Sequence, residues 1–254
     1  MPPLPSPRAA TVYLVGAGPG EADLLTVRAA RLIAAADVAV YDNLVGPDVL
    51  ALIPATTQRI YVGKKAGNHA LPQEEINRLL VNLAREGKTV IRLKGGDPYI
   101  FGRGGEEILE LVEAGVPFEV VPGVTAAAGA AAYAGIPLTH REIARTCTFA
   151  TGHFQDGTCD LDWPALARPG QTLVIYMGIS ALPTIARELC AHGLPTNTPA
   201  AVVRHATLAD QRCIAADIAE LPAAVAAAGI KPPALLIIGE VVRLRERLNW
   251  FKPD

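Results

Sequence analysis

The stretch from Arg92 to Glu107 reads RLKGGDPYIFGRGGEE, with five glycines, one Asp-Pro step and a Phe in sixteen residues. Backbone this bare lets main chain approach a bound group closely, and phosphate is the first chemistry to weigh. A second glycine-rich stretch, GAGPG, places Gly16 and Gly18 at the first two positions of G-x-G-x-x-G. The third position is Glu21, and Pro19 removes one N–H that a phosphate nest would use. The acid that a dinucleotide site wants at the end of the following strand is present as Asp42. Gly87-Lys88-Thr89 resembles the end of a Walker motif, but the upstream glycine position is Asn82, inside a helix pattern. Neither phosphate pattern is complete. The glycines are therefore expected to accommodate a group that lies close to the backbone and carries no phosphate.

Elements of two kinds must position these loops. TVYLVGAG, DVAVYD, QRIYVGK, TVIRLKG and PFEVVPG have the composition of buried strands, with helix patterns between them. The plainest helix runs from Pro72 to Glu86, where Ile76, Leu79, Leu80 and Leu83 recur at i, i+3, i+4 and i+7. Such alternation predicts an α/β fold with a parallel sheet covered by helices. Ligands of open α/β sheets sit beyond the carboxyl ends of the strands, where GAGPGEAD, YDNLVGP and KGGDPYIFGRGGEE fall. After Gly123 the pattern changes to a Gly/Ala/Pro-rich segment, then strand patterns resume at TCTFATG, QTLVIYMG, AAVVRHAT, QRCIAA and PALLIIGEVV. AAVVRHAT and QRCIAA stand too close for a helix to intervene, so this pair is expected to be antiparallel. The expected organisation is a tail (1–10), an N-terminal α/β domain (11–123) and a C-terminal α/β domain with a mixed sheet (124–254). A cleft between two such domains is a favoured ligand site.

Composition removes several function classes. With a net charge of −2 and no long basic run, the chain is expected to bind no nucleic acid. The longest uncharged run, Val120–Thr139, is broken by glycine and proline and reads as a buried loop and helix, so no membrane span is expected. The opening MPPLPSPRAAT has no apolar signal core and reads as a loose tail. Cys147, Cys159, Cys190 and Cys213 stand far apart without a C-x-x-C. No metal site is expected from them, and a reducing cytoplasm is.

VGAGPGEADLLTVRAARLI, VYDNLV, YVGKK, RLKGGDPYIFGRGGEE, VPGVTAA, GIPLTHR and the closing LNWF together resemble the S-adenosylmethionine:uroporphyrinogen-III C-methyltransferases of the tetrapyrrole methylase superfamily. The resemblance covers nearly the whole chain in order, and its sixteen-residue glycine-rich stretch is the most specific part. Because no dehydrogenase module precedes these motifs, the likeness is to the single-function form. It implies a two-domain tetrapyrrole methylase fold, a homodimer, and S-adenosylmethionine in the cleft as methyl donor, with S-adenosylhomocysteine as product. The implied reaction methylates carbons 2 and 7 of uroporphyrinogen III to give precorrin-2, a precursor of siroheme, cobalamin and haem d1.

By the same resemblance, cofactor contacts fall on Pro19, Gly95, Gly96, Asp97, Ile100, Thr125, Ala126, Met177, Ala206 and Ala234. Asp42 and Lys64 match a proton acceptor and donor, Arg103 and Glu106 a pair that is both catalytic and substrate-side, and Arg141 a further substrate contact. A net-acidic chain that binds a porphyrinogen bearing eight carboxylates must concentrate cations locally, which fits Lys64, Arg103 and Arg141. Several of these residues also have plain structural readings. Asp42 and Asp97 suit Asx turns, Thr125 a helix cap, Met177 an apolar core, Lys64 a solvated pair with Lys65, and Glu106 a helix N-terminus. Two further functions stand beside this one. A C-methyltransferase for another precorrin would share GAGPG but differ in GGDPYIFGRGGEE, and a non-catalytic nucleotide-binding protein would need none of the three cations.

Overall fold

The computed structural model describes residues 10–63, 71–152 and 160–253. The chain divides into two compact units, Met1–Ala126 and Ala127–Asp254. The first holds β1 (Val12–Gly16), α1 (Val27–Ala35), β2 (Val38–Tyr41), α2 (Pro47–Ala51), β3 (Gln58–Tyr61), α3 (Gln73–Arg85), β4 (Val90–Lys94), α4 (Gly104–Glu113) and β5 (Phe118–Val121). Among the described residues its five strands form one sheet in the order β3-β2-β4-β1-β5, and every pairing is parallel.

Parallel strands covered on both faces must be apolar on both faces, and alternate residues of β1 and β4 divide between two cores accordingly. Tyr13, Val15, Ile91 and Leu93 pack with Leu32 and Ile33 of α1 and Val49 of α2. Val12, Leu14 and Val90 pack on the other face with Ile76, Leu80 and Leu83 of α3 and Ile108 and Leu111 of α4. The winding of the sheet therefore reverses between the parallel strands β1 and β4, and the chain leaves their carboxyl ends toward opposite faces. Open α/β folds place their ligands at such a switch point. GAGPG leaves β1 there, and KGGDPYIFGRGG leaves β4.

The helix α5 (Ala126–Ala134) follows, then β6 (Thr146–Thr151), α6 (Trp163–Leu166), β7 (Gln171–Tyr176), α7 (Leu182–Ala191), β8 (Pro199–Arg204), β9 (Arg212–Asp217), α8 (Leu221–Ala227), β10 (Ala234–Ile238) and α9 (Arg245–Leu248). The sheet of the second unit has the order β6-β7-β10-β8-β9. The β6–β7 pair is parallel and the other pairs antiparallel, including the expected β8–β9 pair. LNWF closes this unit structurally. Trp250 Nε1 donates to Ala132 O (2.9 Å), and Tyr133 packs against Trp250 and Phe251. Among the described residues no helix is long and apolar enough to cross a membrane.

Candidate active site

The glycine-rich loops of the first unit meet one another before they meet any ligand. Gly18 N donates to Gly96 O (3.2 Å) and Gly96 N to Gly18 O (2.6 Å), so the loops after β1 and β4 are joined by a two-way bridge. Ala17 N donates to Lys94 O (2.8 Å). A Cβ on Gly16 would stand 2.5 Å from Gly123 N and 2.8 Å from Gly96 O, closer than real side chains approach. A Cβ on Gly95 would stand 2.7 Å from Leu44 O. Four loops, those after β1, β2, β4 and β5, thus converge to main-chain contact, and only glycine permits that approach. Gly96 also needs its left-handed φ of 67°, with Ala126 N close by.

Asp97 pins this junction. Its Oδ1 accepts Tyr99 N (2.8 Å), which forms the Asx turn, and its Oδ2 accepts Gly123 N (3.0 Å) from the loop after β5. Pro19, Gly95, Gly96, Asp97, Ile100, Thr125 and Ala126 therefore gather beyond the carboxyl ends of β1, β4 and β5. Because Gly18, Gly96 and Gly123 direct their N–H groups into the protein, the junction offers no nest of parallel amides to a phosphate. A single 3-10 turn (Ala22–Leu24) follows GAGPG, and the α-helix begins only at Val27, capped by Thr26 Oγ1 on Ala29 N (3.1 Å), so its N-terminus does not open from the glycines as a dinucleotide site requires. Gly87 ends α3 through its N–H to Ala84 O (2.9 Å), which makes GKT a helix exit.

Asp42 follows β2. Its Oδ1 accepts Leu44 N (3.0 Å), and its Oδ2 lies 3.1 Å from Nη2 of Arg92. Arg103 has a left-handed φ of 56° at the start of α4, and its guanidinium grips Glu106 through Nε–Oε1 (2.9 Å) and Nη2–Oε2 (2.6 Å). That hydrogen bond raises the Arg103 guanidinium above its ordinary range and holds the Glu106 carboxyl below its own. The pair is exposed on a groove lined also by Gln73 and Asn77 of α3.

In the second unit, strand polarity brings Met177, Ala206 and Ala234 to one end of the sheet. Met177 follows β7, Ala206 follows β8, and Ala234 opens the antiparallel β10 opposite Arg204. Met177 is 51% exposed, not a core residue. Left-handed φ values cluster at this end, on Met177 (53°), His205 (48°) and Thr207 (74°). Such conformations concentrate where structure is organised around a ligand. His205 Nδ1 contacts Asp210 Oδ2 at 2.6 Å in the same loop. Arg141 is exposed in the turn before β6, its carbonyl accepting from Arg145 Nε (3.2 Å). Arg145 N donates to Gly170 O, so that turn leads into the opposite end of β7 from Met177. Lys64 lies outside the described residues.

Two welded glycine loops at a switch point, with their amides turned inward, belong to a known scaffold: residues 11–222 match the tetrapyrrole (corrin/porphyrin) methylases. The chain is a member of that family.

This methylase is 60% identical over 96% of its length to a siroheme synthase of Nitrosospira multiformis, and 59% identical over 96% to one of Methylobacillus flagellatus. It spans 52% of each, about half the length of the curated relatives it matches. It superposes at TM-score 0.79 and 45% identity on a uroporphyrin-III C-methyltransferase from Thermus thermophilus complexed with S-adenosylhomocysteine, covering 92% of this chain and 99% of that one. A cobalt precorrin-4 methyltransferase overlays at TM-score 0.82 but 28% identity, covering 92% and 96%. The backbone is thus common to methylases of different substrates, and sequence rather than overlay separates them.

The methylase also holds a charge cluster that the motifs do not announce. Glu107 of α4 is 0% exposed, and its Oε1 receives Lys94 Nζ (2.9 Å), Gln73 Nε2 (3.2 Å) and Arg92 Nε (3.4 Å). Among the described residues its Oε2 has no hydrogen-bond partner. Burial first, then the neighbouring Arg92, push the Lys94 ammonium below its ordinary range against the pull of Glu107. The signal was available: Arg92 and Lys94 stand two apart in a buried strand, hence on one face, and two cations there require an acid. Among the described residues no group of three His, Cys, Asp or Glu side chains stands ready to hold a metal.

Proposed function

We propose that this methylase transfers methyl groups from S-adenosylmethionine to carbons 2 and 7 of uroporphyrinogen III, giving precorrin-2. The observation that carries the reading is its identity, along nearly the whole of both chains, with a uroporphyrin-III C-methyltransferase that binds S-adenosylhomocysteine. The junction supports it chemically. A donor without phosphate needs close main chain, which Gly95, Gly96 and Ala126 offer, and it needs no amide nest. Among family members, the lower identity of the precorrin-4 methyltransferase favours the uroporphyrinogen substrate over a later precorrin.

S-adenosylmethionine supplies a sulfonium methyl, an electrophile suited to the electron-rich carbon of a reduced pyrrole. The residues have the remaining work of alignment, exclusion of water and proton transfer. Pro19, Gly95, Gly96, Ile100, Thr125, Ala126, Met177, Ala206 and Ala234 hold the donor, while Asp97 keeps the loops in register through its two main-chain bonds. Arg103, oriented by Glu106, binds substrate carboxylate together with Arg141 and Lys64. Asp42 accepts the proton that the pyrrole system must lose once its ring carbon is methylated, and Lys64 acts as donor. Alignment of the two reactants can contribute about 7–11 kcal/mol. A homodimer in the cytoplasm is part of the same reading, supported by the family resemblance and by cysteines without disulfide spacing.

The deciding experiment incubates the protein with S-adenosylmethionine and uroporphyrinogen III and weighs the product. Two added methyl groups are expected. A product unchanged in mass, from protein that still binds S-adenosylhomocysteine, removes this substrate.

A further inference from the structure

Arg92 is 3% exposed, an unusual place for a guanidinium, and each edge of it is engaged. Nη1 donates to Leu93 O (2.8 Å), Nη2 to Asp42 Oδ2 (3.1 Å), and Nε stands 3.4 Å from Glu107 Oε1. The plain reading makes Arg92 the counter-ion of buried Glu107. The distances argue otherwise. Lys94 Nζ is already 2.9 Å from the same Oε1, so Glu107 has a closer cation, and the Arg92 Nε contact is at the limit of a hydrogen bond. The better bond of Arg92 to a carboxylate goes to Asp42. That acid is only partly buried, at the carboxyl end of β2, where ligands of such sheets bind.

We propose that Arg92 is a positioning residue for Asp42, an inference that rests on the proposed function. Arg92 fixes Oδ2 while the Leu44 amide fixes Oδ1, so the carboxylate has one orientation before substrate arrives. Each oxygen retains a second lone pair, which leaves Asp42 able to accept a proton from the substrate. Lys94 and Glu107 form the floor of the arrangement: Lys94 neutralises Glu107, and Arg92 is left to hold Asp42. Rigid support of this kind is what separates a poised base from a mobile surface acid.

A double-mutant cycle on the full chain tests this. Arg92→Lys keeps the charge but lacks the fork that spans Leu93 O, Glu107 and Asp42. With Asp42 present, Arg92→Lys is expected to lower kcat at least about tenfold, with KM for uroporphyrinogen III and affinity for S-adenosylhomocysteine each within about threefold of wild type. In an Asp42→Asn background the same change is expected to cost less than about twofold more. Equal losses in both backgrounds, an unchanged kcat, or a loss confined to S-adenosylhomocysteine affinity overturns the positioning role. If Arg92→Lys does not fold, Arg92→Gln is compared with and without Asp42→Asn, and the same outcomes decide. Wild-type protein that transfers no methyl to uroporphyrinogen III overturns the proposed function itself, a result readable before any variant is made.

Discussion

At Arg103 the backbone and the side chain have separate jobs. The side chain is an exposed cation held by Glu106, and the backbone sits at a φ of 56° that non-glycine residues adopt at a cost. In the proposed function, Arg103→Ala removes a charge-assisted bond to substrate of about 1.5–3 kcal/mol. It is expected to lower kcat/KM at least about tenfold while S-adenosylhomocysteine affinity holds. Arg103→Gly should lose the same activity yet unfold at higher denaturant than Arg103→Ala, by up to about 1 kcal/mol, since glycine accepts this conformation freely. Equal stability of the two variants would remove the backbone argument, and normal turnover the side-chain argument. Lys94 makes a pH prediction. Its ammonium is depressed from 10.5, so at alkaline pH the unfolded chain binds a proton that the folded chain has released. Stability from this group therefore rises with pH between the depressed value and 10.5. Urea unfolding of wild type and Lys94→Met at neutral and alkaline pH should show the difference moving in the wild type's favour as pH rises.

Among the elements, the loops after β1, β4 and β5 act as one piece because main chain touches main chain at Gly16, Gly96 and Gly123. Gly16→Ala forces a methyl group against Gly123 N and is expected to destabilise by about 1–3 kcal/mol or more, the range of core overpacking. Among the described residues nothing lies within 4 Å of the Cβ position of Gly105, in the first turn of α4. Gly105→Ala is expected to be neutral or stabilising by up to about 1 kcal/mol through helix propensity. Chemical denaturation of both variants checks the contrast, and a Gly16→Ala protein as stable as wild type would mean the loops are not welded. The two glycines lie in equally glycine-rich sequence, and their opposite predictions come from packing alone.

For the whole molecule, binding and stability are linked. S-adenosylhomocysteine at a hundred times its Kd is expected to stabilise the protein by about 2.7 kcal/mol, seen as a rise in Tm. Since donor binding is assigned to main chain, alanine and methionine, a chelator should leave that rise and the turnover unchanged. Loss of either on adding EDTA would point to a metal that the proposed chemistry does not use.

The sequence by itself determined what depends on local pattern. Apolar runs separated by helical periodicity set a parallel sheet in the first unit, as in Ile76–Leu83 of α3, and the short gap between AAVVRHAT and QRCIAA set the antiparallel β8–β9 pair. The failed third glycine of GAGPG already turned the reading away from phosphate. Tertiary structure alone decided what the glycines touch and which charges meet. In RLKGGDPYIFGRGGEE the sequence shows bare backbone but not that Gly96 faces Gly18, since that pairing joins residues far apart in the chain. Asp97 looked like a ligand contact or a turn, and its second oxygen proved to hold Gly123 across the junction. The sequence puts Arg92 and Lys94 on one face of an apolar strand, but only folding decides that Glu107 is the acid that meets them. Folding removes water from that face, and each buried charge must then find its partner from another element.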